Sequence, residues 1–188
     1  MKTKVIHTLI TIFSLTAVIH ATTIPELTLE ELVLNSTNII LAKVVSSHSY
    51  QNDHPSRVYT DITLEVDKSY KGTLPSGENL TITMYGGTLN GYTTILVGAP
   101  SFQIGQSSVL FLRKIEAPPP EKAHYGVIGL FQGKYDVTVD KHTGSQVVMR
   151  NNNPIPLKIG KNGNKINLTK SAPITLSQFI TYVRKYIQ

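Results

Sequence analysis

In the stretch Val58-Tyr-Thr-Asp-Ile-Thr-Leu-Glu-Val66, mostly aliphatic side chains alternate with more polar ones. A period of two is typical of a β-strand that buries one face and exposes the other. The predicted inner face consists of Val58, Ile62, Leu64 and Val66, and the predicted outer face of Tyr59, Asp61, Thr63 and Glu65. This strand indicates a sheet with one solvated side.

Further runs of the same kind lie on both sides of this strand, separated by glycine and proline turns. Turn signals at intervals of about ten residues favour a small β-barrel or a β-sandwich. The predicted strands are Ile39–Val45, Leu80–Tyr85, Thr93–Val97, Ser108–Leu112, Tyr125–Leu130, Lys134–Val139 and Gln146–Met149. The fold class is therefore expected to be mainly β.

A short helix is predicted at each end of this β region. Thr28-Leu-Glu-Glu31 has the form of a capping box, which begins a helix. Thr175 is suited to cap a second, amphipathic helix. Its apolar stripe, at helical spacing, is Leu176, Phe179, Ile180, Val183 and Ile187. Such a stripe needs a surface to cover, so the C-terminal helix is expected to lie on the sheet.

The first residues have the parts of a secretory signal peptide. Lys2 and Lys4 precede the apolar run Val5–Ile19, and Ala21 is a small residue at a plausible cleavage point. The run is short for a membrane span, which needs about 20 apolar residues, although a retained anchor is the alternative. We therefore predict a signal peptide over residues 1–21, one β-rich domain over residues 22–188, and a secreted or periplasmic location.

Charge is distributed unevenly along the chain. Residues 22–110 contain eight acidic and four basic residues, whereas residues 111–188 contain four acidic and twelve basic residues. No acidic residue follows Asp140. A field of one sign attracts anionic partners, and Lys158, Lys161 and Lys165 are the candidate contacts. The alternative is that these lysines only keep the protein soluble.

The residues that usually carry catalysis or bind metals form no recognisable pattern. The chain has no cysteine, which excludes disulfides, cysteine zinc sites and thiol catalysis. No histidine pair has the spacing of a helical zinc site, and no nucleophile elbow or phosphate-binding loop occurs. The histidines of the predicted mature chain are His48, His54, His124 and His142, and the acids of one strand face are Asp61, Glu65 and Asp67. We predict a non-enzyme without cofactor or metal.

Tyrosine is the most abundant aromatic residue, since the chain has nine tyrosines and no tryptophan. Tyr59 lies on the polar face of its predicted strand and could join Tyr85 or Tyr135 in a platform that stacks on sugars or bases. The alternative is a set of amphipathic rings at the rim of a barrel.

The chain resembles a group of bacterial exported proteins of unknown function over residues 27–136. The resemblance is carried by residues 27–33, 38–45, 59–66, 70–72, 97–102, 105–106, 109–112 and 129–134. The order of its elements also resembles the netrin-like, or metalloproteinase-inhibitor, domain, which implies an OB-like barrel. Inhibitors of that family use an N-terminal cysteine, which this chain lacks.

From these observations we expect an exported, non-enzymatic binding module that engages a protein or a polyanionic surface. Nucleic acid is not the expected partner. The alternatives are an inhibitor of secreted proteases, for which the resemblance to the inhibitor domain is the only ground, and a hydrolase of envelope polymers, for which no catalytic set is visible.

Overall fold

A computed structural model describes residues 26–51, 57–116, 124–150, 157–158, 165–166 and 174–187. The predicted signal peptide (residues 1–21), His54 and Lys161 lie outside these residues. The chain is mainly β. Its elements are α1 (Leu29–Asn35), β1 (Asn38–Gln51), β2 (Val58–Lys71), β3 (Asn79–Tyr85), β4 (Gly87–Leu89), β5 (Tyr92–Thr94), β6 (Ser107–Ile115), β7 (His124–Val127), a 3-10 helix (Leu130–Gly133), β8 (Lys134–Val139), β9 (Gln146–Met149), β10 (Leu157–Lys158), β11 (Lys165–Ile166) and α2 (Leu176–Arg184).

Five strands form a ring of pairings in the order β1-β2-β3-β7-β6, and β6 also pairs with β1. The pairings are antiparallel except that of β3 with β7, where a single residue pair, Ile82 with Tyr125, joins two parallel strands. Because β3 and β7 are joined only by this one residue pair, the ring of strands is not closed as a barrel. Strands β8 and β9 extend the sheet from β6. The mainly β architecture agrees with the sequence prediction, at the level of a barrel or sandwich.

The inside of the ring holds one of two apolar cores. Alternate side chains of β1, β2, β3 and β6 point into it, which is why β2 shows its period of two. This inner core is formed by Ile40, Ala42, Val44, Ile62, Leu64, Val66, Leu74, Leu80, Ile82, Leu110 and Leu112. The opposite face of β2 and β3 does not pack against this inner core.

The second core lies outside the ring, between the sheet and the two helices. Ile39 of β1, Phe111 of β6, Tyr135 of β8 and Val148 of β9 pack there against both helices. Strands β1 and β6 therefore bury both faces where they lie beneath the helices. This double burial explains why their sequences are continuous apolar runs rather than alternating ones.

Both predicted helices are confirmed. Thr28 caps α1 through a complete capping box with Glu31, and Thr175 caps α2 in the same way with Gln178. Leu176, Phe179, Ile180 and Val183 are buried in the outer core, where Phe179 is fully inaccessible, whereas Ile187 lies beyond the end of α2 and is partly buried. The expectation that the C-terminal helix lies on the sheet is therefore confirmed.

Two predicted strands end differently in the structure. Only the first part of Thr93–Val97 is a strand, because β5 pairs with the short β4 and the chain then turns, with the Ala99 amide donating to the Leu96 carbonyl. The predicted strand Tyr125–Leu130 stops at Val127. Gly129 and Leu130 both have positive φ values, of 64° and 58°, which no strand accommodates.

Candidate binding surfaces

The outer face of β1, β2 and β3 carries a row of three tyrosines. The strand register sets Tyr50 opposite Tyr59, and Tyr59 opposite Tyr85. The ring centroids of Tyr50 and Tyr59 are 6.2 Å apart with planes 27° from parallel, and those of Tyr59 and Tyr85 are 5.8 Å apart, edge to face. His48 continues the row, with its ring 6.3 Å from that of Tyr50 and nearly parallel to it. Cross-strand aromatic pairs of this kind stabilise a sheet and also expose a common apolar surface.

Two polar rows lie next to the tyrosines on the same face. The register places His48 opposite Asp61 and Asp61 opposite Thr83, and it places Ser46 opposite Thr63 and Thr63 opposite Thr81. We call these nine residues the platform. Its members are Ser46, His48, Tyr50, Tyr59, Asp61, Thr63, Thr81, Thr83 and Tyr85.

Asp61 ties the aromatic and polar parts of the platform together. Its Oδ1 accepts a hydrogen bond of 2.7 Å from the Thr83 hydroxyl and a longer one of 3.4 Å from the Tyr50 hydroxyl. Burial, followed by the Asp61 charge, raises the pKa of Tyr50, so the phenol keeps its proton and remains a donor. The carboxylate has about four acceptor positions, so it retains unused ones.

Tyr135 does not belong to this surface, which corrects the prediction that it might join Tyr59 or Tyr85. It is 1% exposed in the outer core, with its ring 4.6 Å from that of Phe179 and 5.7 Å from that of Phe111. Its hydroxyl accepts a hydrogen bond from Arg150. Strand β8 lies beneath α2, so its apolar face is covered rather than solvated, which the strand's own sequence does not reveal.

A second surface carries apolar side chains in solvent. Tyr92, Ile95, Val97 and Ile104 are 82%, 77%, 83% and 69% exposed, and Leu96 is 39% exposed. They lie between β4 and β6, within residues 79–112, where the sequence contains no charged residue and no histidine. We call the exposed side chains of Tyr92, Ile95, Leu96, Val97 and Ile104 the uncharged face. Exposed apolar side chains that lie together in a patch usually mark a site of association, and four of these five lie within residues 92–97.

An open cleft of about 520 Å³ adjoins the uncharged face. Ile95, Leu96 and Phe102 are among the apolar groups that line it, and Ser49 and Thr60 supply hydroxyls from the opposite strands. Among the residues that the structure describes, no charged residue contributes to its lining. The cleft therefore offers an apolar site with neutral hydrogen-bonding groups.

Close packing at two glycines shapes the cleft. The Thr60 hydroxyl donates a 2.6 Å hydrogen bond to the Gly86 carbonyl and lies 2.9 Å from the Ser49 hydroxyl. A Cβ atom at Gly87 would collide with these two hydroxyls, and both glycines have positive φ values. Glycine adopts this backbone conformation at both positions without steric cost.

A buried ion pair, Lys134 with Asp136, lies next to Phe102, which lines the cleft. The Lys134 ammonium pairs with Asp136, donates to the Gln106 side chain at 3.2 Å, and lies 5.1 Å from the centre of the Phe102 ring. Asp136 also accepts a 2.9 Å hydrogen bond from Ser108. Burial lowers the pKa of Lys134, although the neighbouring carboxylate acts in the opposite direction. These contacts connect residues 79–112, which carry no charge, to β8, and they fix the position of Phe102.

The predicted basic contacts are placed only by the backbone. Lys158 lies in β10 directly opposite Lys165 in β11. A separate groove of about 650 Å³ runs between β2 and α2, with Lys68 and Arg184 in its lining. Basic residues thus occur both on the β10–β11 pair and in the groove between β2 and α2.

The candidate catalytic residues do not assemble in the described part of the chain. His142 contacts Asp140 through its backbone amide, and Asp61 is bonded to Tyr50 and Thr83. Within the described ranges, no group of three or more His, Asp and Glu residues is arranged to hold a metal ion. Asp61 and Glu65 follow one face of β2, as predicted, whereas Asp67 lies at an irregularity, where the register passes from Ala42–Val66 to Leu41–Lys68.

Among the described residues, no helix has the length and apolar character needed to cross a membrane. Comparison with known protein families found no matching family model, and no curated protein matches the sequence. The surfaces described above therefore have to be interpreted from their own chemistry.

Sequence reasoning identified Tyr59 and Tyr85 as platform candidates but missed Tyr50, His48 and the uncharged face. Tyr50 and His48 lie in the polar continuation of β1, where a register shift between Val44 and Ser46 changes which residues face outward. The uncharged face had a direct sequence signal, because residues 79–112 lack any charge in a chain that is 16% charged.

Proposed function

We propose that the chain is an exported, non-enzymatic binding module that docks a partner protein through the uncharged face. The observation that carries this proposal is the strong exposure of Tyr92, Ile95 and Val97 near a cleft whose described lining residues carry no charge. Burial of such side chains against a partner would return roughly 25 cal/mol for each Å² of apolar surface removed from water. The partner would insert an apolar side chain into the cleft.

A protein suits this surface better than an anionic membrane does. Loops that bind anionic lipid carry lysines or arginines beside their apolar tips. Here the nearest charges along the chain are Glu78 and Arg113, at the two ends of the uncharged segment. The Thr60 proton goes to Gly86 and the Ser49 proton to Thr60, so the Ser49 hydroxyl keeps acceptor positions with which it would bind a backbone amide of an inserted segment.

The proposal includes an OB-like barrel and an N-terminal export signal. The OB-like barrel is supported by the strand order, in which the first ring strand pairs with the second and the fourth, and the last pairs in parallel with the third. Export is supported by the basic and apolar stretches of residues 1–21. The likeness to exported bacterial proteins points the same way. Inhibition of proteases and hydrolysis of envelope polymers have no comparable support.

The proposal is tested with a charge placed on the uncharged face. Val97→Asp, in the chain starting at Thr22, should weaken binding to the partner at least tenfold, since a buried unpaired carboxylate is costly. Val139→Asp is the matched control, because Val139 is 61% exposed on β8, outside the uncharged face. The partner is first isolated by comparing proteins captured by the native chain with those captured by each variant, and then purified for titration calorimetry.

Three outcomes would contradict a protein partner. The first is that no captured protein is lost with Val97→Asp and retained with Val139→Asp. The second is binding of the native chain to phosphatidylcholine vesicles that Val97→Asp abolishes. The third is self-association in sedimentation experiments that Val97→Asp abolishes, since the occupant would then be a second copy of the chain.

A second candidate function is binding to an anionic surface through the basic C-terminal segment. Eight basic and no acidic residues follow Asp140, and the register sets Lys158 opposite Lys165. Reversal of Lys158, Lys161 and Lys165 to Glu should abolish binding to phosphatidylglycerol vesicles, and binding of the native chain should fall steeply with salt. Absence of native binding at low salt, or indifference to salt and to the reversals, would leave only the solubilising role.

A further inference from the structure

We propose that the platform on β1, β2 and β3 is a binding site for an uncharged carbohydrate chain. This site adjoins the proposed protein-docking site and shares Tyr85 with it, but its central residues Tyr59 and Asp61 do not line the cleft. The inference rests on the juxtaposition that the strand register creates: an aromatic row with a hydroxyl and carboxylate row directly beside it.

The aromatic row suits the apolar face of a sugar ring. A pyranose presents C–H groups on its flat faces and hydroxyls around its edge. Tyrosine rings bind flat apolar surfaces and add a polar group at their tips. Successive ring centroids from His48 through Tyr50 and Tyr59 to Tyr85 lie 6.3, 6.2 and 5.8 Å apart. The three tyrosine rings cross three strands, and His48 lies beside Tyr50 along β1, a spread that favours an extended chain over a single small molecule.

The neighbouring rows suit the hydroxyls at the edge of the sugar. Ser46, Thr63 and Thr81 each provide a hydroxyl that can donate and accept, and Asp61 has acceptor positions left after its bonds to Thr83 and Tyr50. A hydrogen bond from a neutral hydroxyl to a carboxylate is stronger than one between neutral groups. Stacking and hydrogen bonding would thus act on adjacent parts of the same ligand.

The charge of the platform favours a sugar over the other ligands that aromatic surfaces bind. Surfaces that bind single-stranded nucleic acid combine aromatic rings with a basic groove. None of the nine platform residues is lysine or arginine, and Asp61 would repel phosphates. A cation cage needs rings that surround the charge. His48, Tyr50 and Tyr59 instead have planes within 27° of their neighbours and form an open row.

The test is titration calorimetry of the chain starting at Thr22 with cellopentaose, chitopentaose and maltopentaose. We expect at least one of these neutral oligosaccharides to bind with millimolar or tighter affinity. Tyr59→Ala should weaken that binding about tenfold or more, because stacking on the central ring is lost, whereas Tyr59→Phe keeps the ring and should stay within about twofold. Asp61→Ala should also weaken binding, because it removes the charged acceptor of the platform and the partner of Thr83 and Tyr50.

Tyr92→Ala is the matched control, since Tyr92 is an exposed tyrosine of the uncharged face. It should leave oligosaccharide binding unchanged, and thermal melts will verify that every variant is folded. The proposal is overturned if none of the three oligosaccharides binds, if Tyr59→Ala binds as well as the native chain, or if an oligothymidylate or tetramethylammonium binds the platform more tightly. Loss of protein docking with Val97→Asp would not affect these results, so the two proposals can fail separately.

Discussion

Phe179→Ala should destabilise the protein by about 4 kcal/mol. Phe179 is fully inaccessible, and its ring centroid lies 4.6 Å from that of Tyr135 and 6.3 Å from that of Phe111. Truncation of a buried phenylalanine costs about 3–5 kcal/mol, and the loss of two aromatic contacts places this site in the upper half of that range. At about 2–4 °C for each kcal/mol in a chain of this size, the midpoint of thermal unfolding should fall by about 8–16 °C.

Urea unfolding followed by circular dichroism measures this free energy directly. The dependence of the free energy on urea should be unchanged, so that only the midpoint moves. Ser177→Ala is the control on the same helix, because Ser177 is exposed and its loss should change stability by less than about 0.5 kcal/mol. If Phe179→Ala proves too unstable to purify, Phe179→Leu keeps an apolar side chain but loses both aromatic contacts, and it should cost about 1–3 kcal/mol. A loss below about 1 kcal/mol for the alanine variant would refute the packing of α2 on the sheet.

Three further predictions concern the buried charges, the core tyrosine and export. Lys134→Met should cost about 3–5 kcal/mol in urea unfolding because it leaves the Asp136 carboxylate buried without its cation, and Lys134→Met/Asp136→Leu should recover part of that loss; a double variant as unstable as the sum of the two single variants would contradict coupling. Burial raises the pKa of Tyr135, so the folded state keeps a proton that the unfolded chain loses above about pH 10, and stability should fall as pH rises through that range. Tyr135→Phe should make this fall shallower, and an equal slope in the two proteins would argue against the burial effect. Mass spectrometry of the native protein should find an N-terminus near Thr22, whereas an intact Met1 would exclude cleavage.

Local patterns predicted a large part of the fold. The alternation in Val58–Val66 identified β2 and its inner face, since a strand that buries one face must alternate. The capping boxes at Thr28 and Thr175 located both helix starts, because a cap is formed by residues within one turn of each other. These elements depend on neighbours in sequence, so the sequence alone was sufficient to find them.

The candidate site was less accessible to the sequence. Tyr59 could be placed on a solvated face, but whether Tyr50 or Tyr135 lies beside it depends on strand register and on what covers each strand. The shift in register near Val45 turns Tyr50 outward, and α2 covers the face of β8 that carries Tyr135. Neither fact has a local signature.

The sequence by itself therefore determined the strands β1, β2, β3, β6, β8 and β9, the two capped helices and the absence of charge over residues 79–112. Only the tertiary structure decided which tyrosines lie together on the exposed face, and that β1 and β6 are buried on both of their faces. The physical reason is that periodicity reports the faces of a single strand, whereas pairing between strands and coverage by helices arise from contacts between residues far apart in the chain. Asp61 and Thr83, 22 residues apart and joined by a 2.7 Å hydrogen bond, show this at the centre of the platform.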